Sequence, residues 1–409
     1  MDPPEPLDPS CRPKLRPEVA AEGCDGGAVF FDQFRIGRPV RLTGLGVELA
    51  RQFDGKQSLR DIQSALMRRL GGLLVPLDVI TGLVRGLDDA LLLDSPRFAE
   101  HARGPVRKPV CVGVYDPDPK KLRDQLRKLF TAPGGPGLPG ERPGLPRSSE
   151  KLRAVLVPHM DYGRGNVTYG WGFKELAERT DAAVFVIVAT SHYSLHRFTL
   201  TRQHFETPLG VVNTDNAYID RLDAEYGDGL FADPHAHLPE HSVELEVVLL
   251  QYLLEGKRDF RIVPLVVGSF SDCVDDGTHP SEAEDVTRMV NALRAAEAAC
   301  PDPVCYVISG DLAHIGPKFR DKEKVHLEWL AESEKQDRRL LTHLEAADTA
   351  GYFGVIAAEE DRRRICGLPP TVLTLEAVRP RAGKVLHYQQ FVHPRGEESV
   401  SFAAAAFFE

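Results

Sequence analysis

Three apolar stretches of the chain each end by delivering a histidine or an aspartate. Residues 154–157 break at Pro158 and lead to His159 and Asp161. The β-branched run 183–189 leads into Thr190-Ser191-His192, and residues 304–309 lead into Gly310-Asp311-Leu312-Ala313-His314. Imidazole and thiolate are ligands for iron, copper and zinc, whereas magnesium and calcium sites are built from carboxylates. Cys366, in Arg364-Ile365-Cys366-Gly367, supplies a thiol. His159, His192 and Cys366 therefore make a three-residue face for a metal ion, with positions left for water, oxygen or substrate. Asp311 and His314, three apart on one loop, suit a further ligand, an orienting partner or a general acid–base. Plainer explanations compete: some of the 14 histidines belong to polar loops, and free cysteine is commonly a small buried apolar residue.

A second cluster, His235-Ala236-His237-Leu238-Pro239-Glu240-His241, has metal-binding spacing but leads into a helix that Glu240 can cap. His235 and His237 read as loop residues, and His241, with Glu240 and Glu244, as part of a site wall. Gly163-Arg164-Gly165 lacks the Lys-Ser/Thr of a phosphate loop, so no nucleotide is inferred. The absence of Gly-x-Ser-x-Gly weakens a serine-hydrolase reading.

The elements that must position these residues alternate. An apolar run closed by a breaker reads as a buried strand, and residues 261–267 add another. Helical patterns fall at 169–178, at 241–254 (Val243, Val247, Leu250, Leu254) and at 323–344 (Leu327, Leu330, Leu340, Leu341). Alternation over 153–378 predicts an α/β fold with a mostly parallel sheet covered by helices. Ligands bind at the carboxyl edge of such a sheet, where the strand-end histidines and Asp311 would converge. Residues 384–391 and 399–408 read as two closing strands. Asp118 caps and Pro119 starts a helix carrying Leu122, Leu126 and Leu129, and the Gly/Pro-dense residues 131–149 form a loop.

Upstream, residues 1–27 are rich in Pro, Glu and Gly and read as a loose tail. Residues 28–105 read as a small helical domain of winged-helix-like order: a helix from Ser58 with Leu59, Ile62, Leu66 and Leu70 on one face, a second helix at 77–90 presenting Val79, Leu83, Leu87 and Ala90, then a short strand at 91–93. With 409 residues, two or three domains are expected. The net charge of −10 argues against general nucleic-acid binding, and no apolar run is long enough for a membrane span. The seven cysteines are odd in number and form no Cys-x-x-Cys pair, and the first residues lack a signal-peptide pattern. A reducing, cytoplasmic setting is expected.

Eight segments in order resemble the Memo family, also called AmmeMemoRadiSam system protein B. They are Tyr115-Asp116-Pro117-Asp118-Pro119, Val157-Pro158-His159-Met160-Asp161-Tyr162-Gly163, Thr190-Ser191-His192-Tyr193, Glu206-Thr207-Pro208-Leu209-Gly210, Glu240-His241-Ser242-Val243-Glu244, Ile262-Val263-Pro264-Leu265-Val266-Val267-Gly268, Ser309-Gly310-Asp311-Leu312-Ala313-His314 and Ile365-Cys366-Gly367-Leu368-Pro369-Pro370. The resemblance runs from Val110 to the C-terminus. It implies a fold similar to the class III extradiol dioxygenases, which hold non-heme Fe(II) with two histidines and a carboxylate. A cysteine in place of the carboxylate implies iron or copper held by His159, His192 and Cys366, with Asp311 and His314 lining the site and His241 beside it. It also implies radical-SAM and AMMECR-type partner proteins.

The chain departs from the family pattern at three places. Pro-His-Ala-Gly-Tyr is here Pro-His-Met-Asp-Tyr, Ser-His-His is Ser-His-Tyr, and the segment before His314, often bulkier, is Asp-Leu-Ala, which alters the pocket but keeps the ligands. The N-terminal segment resembles PqqD-like peptide-binding domains through Gly55-Lys56-Gln57-Ser58-Leu59-Arg60-Asp61-Ile62 and Gly86-Leu87-Asp88-Asp89-Ala90-Leu91-Leu92, implying recognition of a peptide by strand addition. Three functions follow as expectations. The first is a metal-dependent oxidoreductase with a dioxygenase-like site for a phenolic or related small molecule. The second is a zinc metallohydrolase, and the third a non-catalytic binding or assembly protein working with a radical-SAM partner.

Overall fold

Runs such as Leu-Arg-Ala-Val-Leu-Val and Val-Phe-Val-Ile-Val-Ala-Thr are apolar at both odd and even positions, so as strands they must be covered on both faces. The computed structural model, which describes residues 7–140, 151–227 and 229–409, shows them so covered. The chain divides into two units, Met1–Gly104 and Pro105–Glu409.

The larger unit holds an eight-stranded sheet. Its strands are β1 (Leu152–Val157), β2 (Val184–Thr190), β3 (Phe198–Leu200), β4 (Arg261–Val267), β5 (Val304–Ser309), β6 (His314–Ile315), β7 (Ala382–Val392) and β8 (Ser399–Phe408). Their order is β6-β8-β1-β5-β2-β4-β3, with β7 paired to β8. The centre, β1-β5-β2-β4, is parallel, and β8 joins it antiparallel to β1. Alternate residues feed two cores. Val155, Val157, Ile187 and Val307 face one, while Leu156, Val186, Val188 and Ile308 face the other.

Helices α1 (Pro119–Thr131), α2 (Val167–Arg179) and α3 (His241–Leu254) supply the first core. Asp118 caps α1 as expected, accepting from the N–H groups of Lys120 and Lys121. Helices α4 (Glu284–Ala298), α5 (Leu327–Glu345) and α6 (Leu368–Val378) supply the second. Two expectations change. Helix α3 is not a one-sided stripe: 12 of its 14 residues are buried, so Glu244 and Glu246 lie in the interior. Helix α5 begins at Leu327, which is exposed; it buries Leu340 and Leu341 as expected, and Leu344 besides. In the Gly/Pro-rich loop, the carbonyls of Gly134 and Pro136 accept from Trp171 and Lys174 of α2; residues 141–149 lie outside the described residues.

The N-terminal unit differs from its reading. Val19–Cys24, expected as tail, pairs antiparallel with Gly27–Asp32, which pairs with Val40–Thr43. The hairpin turn is Asp25-Gly26, with Gly26 at φ +72°, a strong turn signal hidden among Pro and Glu. Sheet thus precedes helices, and residues 91–93 contribute only an isolated bridge from Leu93 to Leu15. The helix at Leu59–Arg69 carries the expected capping box of Ser58 and Asp61. Leu70, however, is exposed, and the next helix buries Ile80, Val84 and Leu87 rather than Val79 and Leu83. Its Val-Ile-Thr-Gly-Leu-Val run offers two overlapping stripes, and packing selects the second. No helix among the described residues is long and apolar enough to cross a membrane.

Candidate metal centre

Strands β1, β5 and β2 are neighbours and parallel, and each carries a site residue two positions past its carboxyl end: His159, Asp311 and His192. Equal offsets on adjacent parallel strands bring the three together at one edge. Two more elements close on them. Helix α3 begins with His241, and the turn before α6 brings Cys366. That approach requires glycine: a Cβ on Gly310 would lie 2.5 Å from Gly367 Cα, and one on Gly367 would lie 2.7 Å from the Asp311 carbonyl oxygen.

The donor atoms form two groups that share one residue. The ligand atoms of His159, His192 and His241 lie within 4.8 Å of one another, as do those of His159, Asp311 and Cys366. His159 and His192 ring centroids are 5.1 Å apart, and His192 and His241 4.6 Å. Cys366 Sγ lies 3.3 Å from His159 Nε2, and Asp311 Oδ2 lies 3.7 Å from the same nitrogen. The sequence set of His159, His192 and Cys366 is therefore distributed over both groups, and His241, placed beside the site by sequence, stands among the donors.

Supporting contacts orient them. The buried Glu240 carboxylate accepts from the His192 N–H (2.8 Å) and pairs with His192 Nδ1 (2.9 Å), while also capping α3 through the Ser242 N–H. With Nδ1 donating there, His192 Nε2 keeps its lone pair for the site. Burial alone would lower His192, but Glu240 raises it above the usual histidine value. Burial lowers His159 well below that value and His241 to about 4, so both rings are neutral at neutral pH and each keeps a lone pair. Burial also pushes Asp311 up to about 7 and, with the Asp311 charge, holds the Cys366 thiol well above its usual range.

His314 belongs to neither group. Its Nδ1 faces two carbonyls, Leu312 at 3.1 Å and Arg364 at 3.0 Å. Carbonyls only accept, so Nδ1 carries the proton and Nε2 is left an acceptor; burial lowers the group to about 4. Asp161 is not in the centre, because its carboxylate caps Tyr162–Gly165 and pairs with Arg164. Glu244 is not a site wall either: it receives Arg107, the N–H groups of Val110 and Cys111, and the Tyr115 hydroxyl. His237 is buried with Nε2 3.1 Å from the Thr199 carbonyl, and neither it nor His235 joins the donor groups.

A family model described as Memo-like protein matches residues 107–407. The chain belongs to the Memo-like family. It is 24% identical to a MEMO1 family protein of Aquifex aeolicus over 393 residues, covering 92% of this chain and 95% of the relative. It is 27% identical to one from Methanothermobacter thermautotrophicus, over 67% of this chain and 88% of that protein. A third, from Aeropyrum pernix, is 29% identical over 66% and 91%. The Aquifex alignment is too long to fit within Pro105–Glu409 alone, so that relative also matches part of the N-terminal unit.

In this Memo-like chain the donor set fits a metal ion. His159 Nδ1 is buried without a hydrogen-bond partner, and the converging imidazoles, thiol and carboxyl are the types that hold iron, copper or zinc. A cavity of about 270 Å³ adjoins the centre, lined by His192 and Cys366 together with Phe270, Val274, Leu368 and Pro369. The segment bearing Cys366 is held in strained backbone, with Glu360, Asp361 and Arg364 at positive φ. Ion pairs from Arg363 to the buried Asp337 and from Arg364 to Asp321 fix it.

Sequence reasoning missed a set of hydroxyls behind the donors. Thr190 Oγ1 donates to the Cys366 carbonyl (2.7 Å), Ser242 Oγ to the Thr190 carbonyl (2.8 Å) and Ser309 Oγ to the Ser242 carbonyl (2.6 Å). These bonds tie together β2, β5, the start of α3 and the Cys366 turn, four of the five elements that carry a donor. Their only sequence signal is a small hydroxyl residue at the end of a strand or the start of a helix, beside a candidate ligand.

Proposed function

We propose that this chain holds a redox-active iron or copper ion at the centre around His159 and acts as an oxidoreductase on a small molecule. The observation that carries the reading is that one buried imidazole with an unpartnered nitrogen stands in both donor groups, one of which contains a thiol. When bound, iron or copper would supply one-electron chemistry and open coordination positions.

The chain's own residues supply the rest. His159 and His241 are neutral donors, and Glu240 fixes the ring of His192. Asp311, with its carboxyl pushed up to about 7, exchanges a proton near neutral pH and can take one from a hydroxyl group of a substrate. The cavity, with Phe270, Val274, Leu368 and Pro369 beside Asp361 and Arg364, suits a ring that carries polar groups. The same residues could hold zinc, with Asp311 taking a proton from water instead.

Elemental analysis of anaerobically purified protein tests this, wild type beside His159→Ala. Near-stoichiometric iron or copper, lost in the variant, is the expected result. Zinc in its place, with turnover retained without oxygen, moves the assignment to hydrolysis. Absence of metal in protein made with all three available overturns the proposal.

A further inference from the structure

Ser309 has one hydroxyl proton and two oxygen neighbours. The Ser242 carbonyl, at 2.6 Å, can only accept, so the proton lies there. Glu246 Oε1, 3.1 Å from Ser309 Oγ, then faces a lone pair. An ionised carboxylate in that position would set oxygen lone pair against lone pair, with no attraction. Glu246 is also fully buried, and its Oε2 has no hydrogen-bond partner. Glu244, two residues earlier on the same helix, shows what an ionised carboxylate needs here: a guanidinium, two backbone N–H groups and a phenol. Glu246 has none of these; among the described residues the charge acting on it is that of Asp311, of the same sign.

We infer that Glu246 is a neutral carboxylic acid that donates to Ser309, and that it is a positioning residue for the metal centre. The bond sequence runs from Glu246 to Ser309 Oγ, then from Ser309 to the Ser242 carbonyl. It joins the first turn of α3, which presents His241, to the end of β5, which presents Asp311. A neutral acid suits this place better than an ion because it supplies the donor without adding negative charge beneath Asp311. Burial holds the carboxyl well above the usual glutamate range, in agreement with the hydrogen-bond count.

Two measurements decide it. The infrared difference spectrum of wild type minus Glu246→Gln at neutral pH is expected to show the carbonyl stretch of a protonated carboxyl; a carboxylate band in its place overturns the inference. The second is cobalt(II) titration, which rests on the proposed metal site. Glutamine can donate to Ser309 through its amide, so Glu246→Gln should keep the affinity and the cobalt absorption spectrum within about twofold of wild type. Glu246→Leu, of similar size but without a donor, should lose about tenfold or more, with altered cobalt bands, as removal of support behind a ligand does. Equal damage from both variants would show that a charge is required, and no damage from either would end the positioning role. If wild type itself binds no cobalt(II), the metal reading fails, while the infrared band still decides the protonation of Glu246.

Discussion

Two buried polar clusters meet helix α3, one closed and the other open. Around Glu244, both carboxylate oxygens and the Arg107 guanidinium are fully engaged. Arg107 also donates to the carbonyls of His237 and Glu240, each at 2.6 Å, and the side chains of Arg107 and Glu244 are 0% exposed. Around His159, donor atoms converge within 4.8 Å, yet a nitrogen of the central ring has no partner. A buried polar group without a partner costs free energy; Arg107, Glu244 and Tyr115 leave none, whereas His159 leaves one. The closed cluster binds Val110–Tyr115 to the helix; the open one is the centre proposed above to hold a metal ion.

The largest effect should come from breaking the closed cluster. Arg107→Ala leaves Glu244 as an uncompensated buried carboxylate and should destabilise the protein by about 3–5 kcal/mol, read from urea unfolding. A loss near that of an exposed arginine would mean that the cluster is not closed as described.

Acid titration sharpens the comparison further, because Glu244 and Glu246 shift in opposite directions. Burial opposes ionisation of Glu244, but Arg107 and Tyr115 outweigh it and hold the group below its usual value of 4.5. Its contribution is therefore present above that value and lost as the pH falls through the folded pKa. Glu246 is raised, so its contribution is complete below 4.5 and declines as the pH rises towards its folded pKa. Relative to wild type, Glu246→Gln should gain stability between pH 5 and pH 8, whereas Glu244→Gln should flatten the acid limb. Thermal unfolding across that range checks both signs.

The strand-end donors were legible because an apolar run closed by a breaker defines where a strand stops, and His159, His192 and Asp311 each follow by the same two residues. Adjacency of Cys366 was not legible in residue spacing and came from family resemblance. It depends on distant partners, Asp337 for Arg363 and Asp321 for Arg364, which no local pattern announces. His241 was read as site wall rather than as a donor, because Glu240 caps α3 and its second contact, with His192, is not visible in the spacing. Glu244 was read as part of the site wall, because spacing along the helix cannot show that α3 is buried nearly all round and that Arg107 and Tyr115 engage its carboxylate. In the N-terminal unit, composition outweighed the Asp25-Gly26 turn, and the hairpin was read as tail.

The smallest test concerns the hydroxyls that link the donor-bearing elements. Thr190→Val keeps the β-branched shape that β2 needs and leaves the Thr190 carbonyl free to accept from Ser242. It removes the hydroxyl that donates to the Cys366 carbonyl and also meets its thiol, at a net cost of about 1 kcal/mol. Ser58→Ala in the N-terminal capping box should cost a similar ~1 kcal/mol without touching the centre. Matched destabilisation with unmatched cobalt(II) affinity, weakened in Thr190→Val alone, would show that the hydroxyl acts on the placement of Cys366. If both variants bind cobalt(II) equally well, the bond from Thr190 serves folding, and the open cluster is held by its ion pairs and glycines alone.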